Sequence, residues 1–271
     1  MKEKLTLVKV GGAVVEDEAQ LRQLLQDFTA IEGRKLLVHG GGRRATQVAA
    51  QLGIETHMVG GRRITDEAML QVVTMVYGGL VNKHIVASLQ ALGHNAVGLT
   101  GADGDIIRSH RRPPVPVKPA SPDVEGLKMV DFGFVGDVDH VDADMLSHFI
   151  EAGIIPVVAP LTHDGQGSLL NTNADTIAST VAKAMASIYD VTLIFAFEKP
   201  GVLRQPDDDT SVIPVITPSL FQELKADGII SGGMLPKIEN ALQAVASGVS
   251  RVIITSSTAI DGRHGTAILP S

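Results

Sequence analysis

Leu5-Thr6-Leu7-Val8-Lys9-Val10-Gly11-Gly12 opens the chain as a six-residue, β-like apolar run that stops on two glycines. The pattern returns at Lys35-Leu36-Leu37-Val38-His39, which runs into Gly40-Gly41-Gly42. Runs that are apolar almost throughout fit strands covered on both faces, as in a parallel sheet under helices. Glycines at a strand-to-helix turn let an anion approach the backbone N–H groups of a helix N-terminus. Lys9 stands out within the first run. An ammonium at a position that should be covered calls for an anion beside it. The glycine turns match neither the P-loop nor the dinucleotide fingerprint.

Working outward, further apolar runs at 96–99, 155–160, 191–197 and 251–255 alternate with segments of helical spacing. Those segments cover 18–31, 43–52, 66–92, 143–152, 175–186 and 236–247. Regular alternation predicts an α/β fold: an open, mainly parallel sheet sandwiched between helices. Two lobes, 1–186 and 187–271, are expected, although no flexible linker separates them. The middle reads differently. The five prolines of 108–123 predict an extended excursion rather than core. After it, 128–131 and 132–141 read as an antiparallel hairpin or meander around Gly133 and Gly136. Gln205-Pro206-Asp207-Asp208-Asp209 reads as an acidic surface loop.

Composition narrows the function. The 271 residues are 44% hydrophobic and 20% charged, with a formal charge of −7, so no broad basic surface for nucleic acid or membrane is expected. Any polyanionic ligand must be met by a few placed cations. Aromatic residues are 3% and tryptophan is absent, which removes the usual stacking platform for single-stranded nucleic acid. There is no cysteine, hence no disulfide, thiolate metal site or cysteine nucleophile. The nine histidines show no metal-ligand spacing, no GxSxG elbow occurs, and His39 reads as structural. Met1-Lys2-Glu3-Lys4 leads straight into the first run without an apolar leader. No apolar run nears the roughly 18 residues of a spanning helix. A cytoplasmic protein is expected.

Three downstream clusters carry chemistry. Asn171-Thr172-Asn173-Ala174-Asp175 heads a helix. On this pattern alone a cap cluster is the simpler reading, but one cap needs one side chain. The surplus amide and carboxylate groups suit ligand hydrogen bonds and the orientation of an ammonium. Gly232-Gly233-Met234-Leu235-Pro236-Lys237 reads as a glycine loop followed by a helix with proline in its first turn, placing Lys237 near the helix N-terminus. In Gly60-Gly61-Arg62-Arg63-Ile64-Thr65-Asp66, Thr65 or Asp66 caps the next helix, and an arginine has the fork to grip a carboxylate.

In this order and spacing, the motifs make the chain resemble the amino acid kinase family over nearly its whole length. They are VKVGG at 8–12, HGGG at 39–42, GGRRITDE at 60–67, VNKHIV at 81–86, GLTGADG at 98–104, GFVGDV at 133–138, NTNAD at 171–175 and SGGMLPK at 231–237. The resemblance implies transfer of the ATP γ-phosphoryl, with Mg²⁺, to the γ-carboxylate of an N-acylglutamate, giving an acyl phosphate in arginine biosynthesis. It implies that the N-terminal lobe holds the acyl-amino acid and a homodimer contact, and that the C-terminal lobe holds the nucleotide. Lys9 and Lys237 are then the lysines on the transferring phosphoryl, with Asp175 arranging them. Gly11, Gly12 and Gly233 take the nucleotide side. Gly41, Gly42, Arg63, Asn171 and Asn173 take the acylglutamate, and no side chain is assigned to a metal. A carboxylate acceptor is already ionised at pH 7, so no general base is required. Positioning and charge stabilisation then carry the reaction.

Two departures from the family pattern matter. Phe195-Ala196-Phe197-Glu198-Lys199-Pro200-Gly201-Val202-Leu203 lacks the usual Thr-Asp pair, with Glu198 as the nearest acid. The 163–170 loop is also altered, which leaves the acyl group open between acetyl and succinyl. Arginine-inhibited members carry an added N-terminal helix that links dimers into a ring. Only four residues precede the first run here, too few for a stable helix, so a homodimer insensitive to arginine is expected.

Overall fold

The computed structural model describes residues 2–117, 127–231 and 234–270. Lys4–Val10 lies inside an eight-stranded sheet. It runs parallel to Arg34–His39 on one side and Asp190–Phe197 on the other. Ile155–Val158 and then Ala96–Leu99 extend the sheet past Arg34–His39, both parallel. Past Asp190–Phe197 comes Arg251–Ser256, again parallel. Thr266–Ile268 then reverses direction, and Val215–Ile216 closes that edge alongside it. The mainly parallel sheet between helices is therefore as expected from the strand–helix alternation. That alternation misses the short edge strands Val215–Ile216 and Thr266–Ile268 and the helices Gly12–Glu16 and Pro218–Ala226.

The period of two along Lys4–Val10 sorts the core onto both faces of the sheet. Leu5 and Leu7 pack with Ile177, Val181 and Met185 of the helix Ala174–Met185. Val8 and Val10 pack on the other side with Leu21, Leu24 and Phe28 of the helix Glu18–Ala30. Lys9 shares the face of Leu5 and Leu7, near the strand's C-terminal end. In a parallel α/β sheet, strand C-termini and following helix N-termini share one edge, where ligands bind. An ammonium reaches that edge from within the core.

Leu169–Asn171, Leu161–His163, Ile107–Arg111 and Gly136–Val141 form a second, four-stranded sheet in that order. The hairpin expected over 128–141 does not form. Lys128–Val130 pairs with Val115–Val117, and Gly136–Val141 pairs with Ile107–Arg111. The physical reason is Gly133. With φ of +73° it sits against Thr65, so closely that a Cβ would collide with the Thr65 carbonyl oxygen. It is a close backbone approach, not a hairpin turn. Residues 108–111, expected as excursion, belong to the strand Ile107–Arg111, in which Ile107 and Ser109 are buried, while 118–123 lies outside the described residues.

Residues 66–92 are helical, as their spacing predicts, but the expectation that no apolar run nears a spanning length does not hold there. Glu67–Ala91 is one continuous helix, π-wound over Thr74–Val81, and is long and apolar enough to cross a membrane by those criteria alone. Gln71, Gly78, Gly79 and Asn82 break the apolar run in sequence but not the helix. Met69, Val72, Val76, Tyr77, Ile85 and Leu89 bury its inner face in the core.

Candidate active site

Lys9 Nζ meets Asp175 Oδ1 at 2.7 Å, with the lysine side chain 8% exposed. At that separation the contact is a close ion pair, and an ammonium with three protons keeps donors for a further acceptor. Asn173, not Asp175, caps the helix: its Oδ1 accepts from the backbone N–H of Asp175 at 2.9 Å and of Thr176 at 3.1 Å. The cap fixes the first turn and so aims Asp175 at Lys9. Of the surplus polar groups in this cluster, Asp175 faces the ammonium. Asn171 is buried and donates through Nδ2 to Thr65 Oγ1 at 2.9 Å.

Lys237 comes from the helix Met234–Ala246, which packs beside Ala174–Met185 on the same face of the sheet. Its Nζ sits 3.7 Å from the Phe197 ring centroid, and Lys9 Nζ sits 5.1 Å from the same ring. Phe197 stacks on the buried Phe195, with centroids 6.0 Å apart and planes 7° apart. The ring thus gives two lysines a fixed aromatic neighbour without cancelling their charge. Burial pushes the Lys237 ammonium below the ordinary lysine range; Asp175 opposes this, Lys9 adds to it by repulsion, and Glu198 opposes it. Such a site favours an incoming polyanion. Sequence reasoning noted Phe197 only as a departure and gave it no role.

The two glycine turns pack backbone to backbone. A Cβ on Gly40 would lie 3.1 Å from the Gly12 nitrogen, and one on Gly41 would lie 3.0 Å from Tyr77 Cδ1. Gly11 caps Gly12–Glu16 and Gly41 caps Gly42–Gln51, neither with a side-chain hydrogen bond. Beneath them His39 is fully buried. Its Nδ1 donates to the Gly40 carbonyl at 2.7 Å, and its Nε2 accepts from Asn82 Nδ2 at 3.1 Å, an assignment that follows from those partners. Burial lowers its pKa to about 4, so it is neutral at pH 7 and holds the turn. The structural reading of His39 stands.

Two cavities flank the turns. One of about 480 Å³ is lined by Lys9, Gly11, Gly12, Asp175, Phe197, Glu198 and Lys237, among others. The other, about 230 Å³, is lined by Gly41, Gly42, Arg62, Arg63, Tyr77, Arg112, Asn171 and Asn173, among others. Gly12 and Gly42 line both. Arg63 is held by Nη2 donations to the Gly42 carbonyl and Thr46 Oγ1, each at 2.8 Å. The structure therefore gathers Lys9, Gly11, Gly12, Asp175 and Lys237 at one cavity and Gly41, Gly42, Arg63, Asn171 and Asn173 at its neighbour. Gly233 lies outside the described residues. Residues 163–170 line neither cavity; His163 pairs with Asp105 at 2.7 Å. The altered loop therefore does not bear on the acyl group through direct contact. Sequence reasoning missed Tyr77 and Arg112, whose only signal was their neighbourhood in space.

Comparison with known proteins agrees with this geometry. The model of the amino acid kinase family matches residues 4–256. An acetylglutamate kinase of Phocaeicola vulgatus is 63% identical over 268 residues, covering 99% of each chain. One of Bacteroides thetaiotaomicron is 60% identical over the same span, again covering 99% of each. Among solved structures, smu.665 of Streptococcus mutans superposes with a TM-score of 0.75 at 27% identity, covering 98% of each chain. The chain belongs to the amino acid kinase family.

Proposed function

We propose that this protein transfers the γ-phosphoryl group of ATP to the γ-carboxylate of an N-acylglutamate, forming an acyl phosphate for arginine biosynthesis. The observation that carries the reading is the pair of cavities sharing Gly12 and Gly42, with Lys9, Asp175 and Lys237 on one side and Arg63 on the other. The acetylglutamate kinases to which the chain is similar support it.

The nucleotide phosphates lie in the larger cavity, against the Gly11–Gly12 turn and the two lysines. Arg63 grips the α-carboxylate in the smaller one, with Asn171 and Asn173 beside it. A γ-carboxylate oxygen then bonds to the γ-phosphorus, the bond from phosphorus to the β–γ bridging oxygen breaks, and that oxygen leaves with ADP. Lys9 and Lys237 offset charge on the transferring group, which is the main demand of phosphoryl transfer. Among the described residues no cluster of three or more metal-ligating side chains occurs. Asp175 and Glu198, which line the larger cavity, are the carboxylates that would hold Mg²⁺ together with the nucleotide phosphates, and the ion would supply charge neutralisation. Residues 1–186 take the acyl-amino acid and supply the phosphate-binding glycine turns, and 187–271 take the rest of the nucleotide, in the cytoplasm.

The assembly we propose is a homodimer through the N-terminal lobe. Met75 and Leu80 are 53% and 50% exposed on the outer face of Glu67–Ala91, whose inner face is buried. Coupled ADP release with N-acetyl- and N-succinyl-L-glutamate tests the activity. ADP release that depends on one of them is expected; no turnover of either, nor of an N-acyl-aminoadipate, overturns the reading.

A further inference from the structure

Three guanidinium groups line the smaller cavity, and an N-acetylglutamate there has a carboxylate for one of them. Its α-carboxylate suits Arg63, and its γ-carboxylate must face the lysines. Arg112 is neutralised within the protein. Its Nε donates to both Asp137 oxygens at 3.1 Å, its guanidinium lies 5.9 Å from the Phe132 ring centroid, and its side chain is 14% exposed. Arg62 is different. Among the described residues, no carboxylate lies within ion-pair distance of it, and its side chain makes no hydrogen bond.

Arg62 is not on a loose loop. It pairs with Val59 in the ribbon Met58–Val59 and Arg62–Arg63, whose two-residue turn is Gly60-Gly61 at φ of +55° and +75°. Positive φ at both central positions matches the tight hairpin turns that set strand register. Arg62 and Arg112 also line a further cavity of about 340 Å³ with Val59, Val115, Val117 and Phe132. No acidic side chain lines either space among the described residues. Arg62 is exposed at the mouth of these spaces, and partial loss of water together with repulsion from Arg112 pushes its pKa down, with Asp137 opposing. A fork of N–H donors facing apolar walls suits a carboxylate on a short methylene chain.

We propose that the acyl group of the substrate ends in its own carboxylate, as an N-succinyl group does, and that Arg62 is the counter-ion that selects it. This rests on the N-acylglutamate reading above and separates this chain's acyl group from the acetyl in its relatives' name. The test compares kcat/KM for N-succinyl- and N-acetyl-L-glutamate in the wild type, Arg62→Lys and Arg62→Leu. The wild type should prefer the succinyl substrate by about ten- to a hundredfold, the range for one hydrogen-bonded ion pair partly in water. Arg62→Leu should erase that preference through the KM of the succinyl substrate, and Arg62→Lys should keep part of it. A wild type that uses acetyl as well or better overturns the inference, as does an Arg62→Leu enzyme that loses both substrates equally. Should that variant not fold, the wild-type ratio decides alone. Turnover of neither substrate overturns the N-acylglutamate reading itself, a distinct outcome.

Discussion

Lys9 and Lys237 approach the larger cavity from different halves of the sequence and meet around one aromatic ring, so neither replaces the other. Lys9→Ala and Lys237→Ala should each lower kcat by at least about a hundredfold, with a smaller change in substrate KM, because charge on the transferring group is lost. Arg63→Ala should act mainly on the KM of the acyl-amino acid, since in the proposed reading it grips a carboxylate that does not react. Steady-state kinetics separate the two patterns. His39 gives a residue-scale prediction of another kind. Its folded pKa, about 4, lies below the roughly 6.5 of an unfolded histidine. The unfolded chain therefore binds more protons between those values, and stability falls as pH drops through that window. The loss should reach roughly 3 kcal/mol by pH 4 and should be absent above pH 7. Urea midpoints of the wild type and His39→Gln, compared at pH 7 and pH 4.5, read the difference. A wild-type decline no steeper than the variant's would remove His39 from the account.

At the scale of elements, one contact ties the long helix to the sheet and to the glycine turn. Asn82 donates through Nδ2 to His39 Nε2 and, at 2.9 Å, to the Val157 carbonyl. Gly98, on the edge strand, leaves no room beside it: a Cβ there would overlap Asn82 Oδ1 and sit 2.7 Å from Lys83 Nζ. Gly98→Ala should cost about 3 kcal/mol through overpacking and a displaced buried amide, and should also weaken catalysis by loosening Gly40. Denaturant unfolding paired with kcat checks it, and an unchanged midpoint would contradict it. These elements also show what can be read from the chain. The strands around Lys9 were legible because each is a short apolar run bounded by glycine or by helical spacing. The hairpin at 128–141 was misread because Gly133 serves a close approach to Thr65, which nothing local announces. The helix Glu67–Ala91 was legible from its spacing over 66–92, but Gln71, Gly78, Gly79 and Asn82 interrupt the apolar run, so its membrane-like length and hydropathy were not.

At the scale of the molecule, the site is an edge effect of the parallel sheet: strand ends and helix starts from both halves of the chain converge on Gly12 and Gly42. The gathering of Lys9, Gly11, Gly12 and Lys237 at one cavity was readable because these lysines and glycines stand in order along the sequence. Arg112 and Tyr77 were not, because the second sheet and the long helix bring them in from distant segments. The exposed Met75 and Leu80 belong to this scale too. Light scattering should give twice the chain mass for the wild type, and Leu80→Asp should shift it toward a single chain; a monomeric wild type would dispose of the dimer. The central claim is a new bond between a γ-carboxylate oxygen and phosphorus, and trapping the product tests it most directly. With ATP, Mg²⁺, an N-acylglutamate and hydroxylamine, the account predicts a γ-hydroxamate formed in step with ADP and lost in Lys237→Ala. ADP released without hydroxamate, or hydroxamate from no N-acylglutamate, would contradict it.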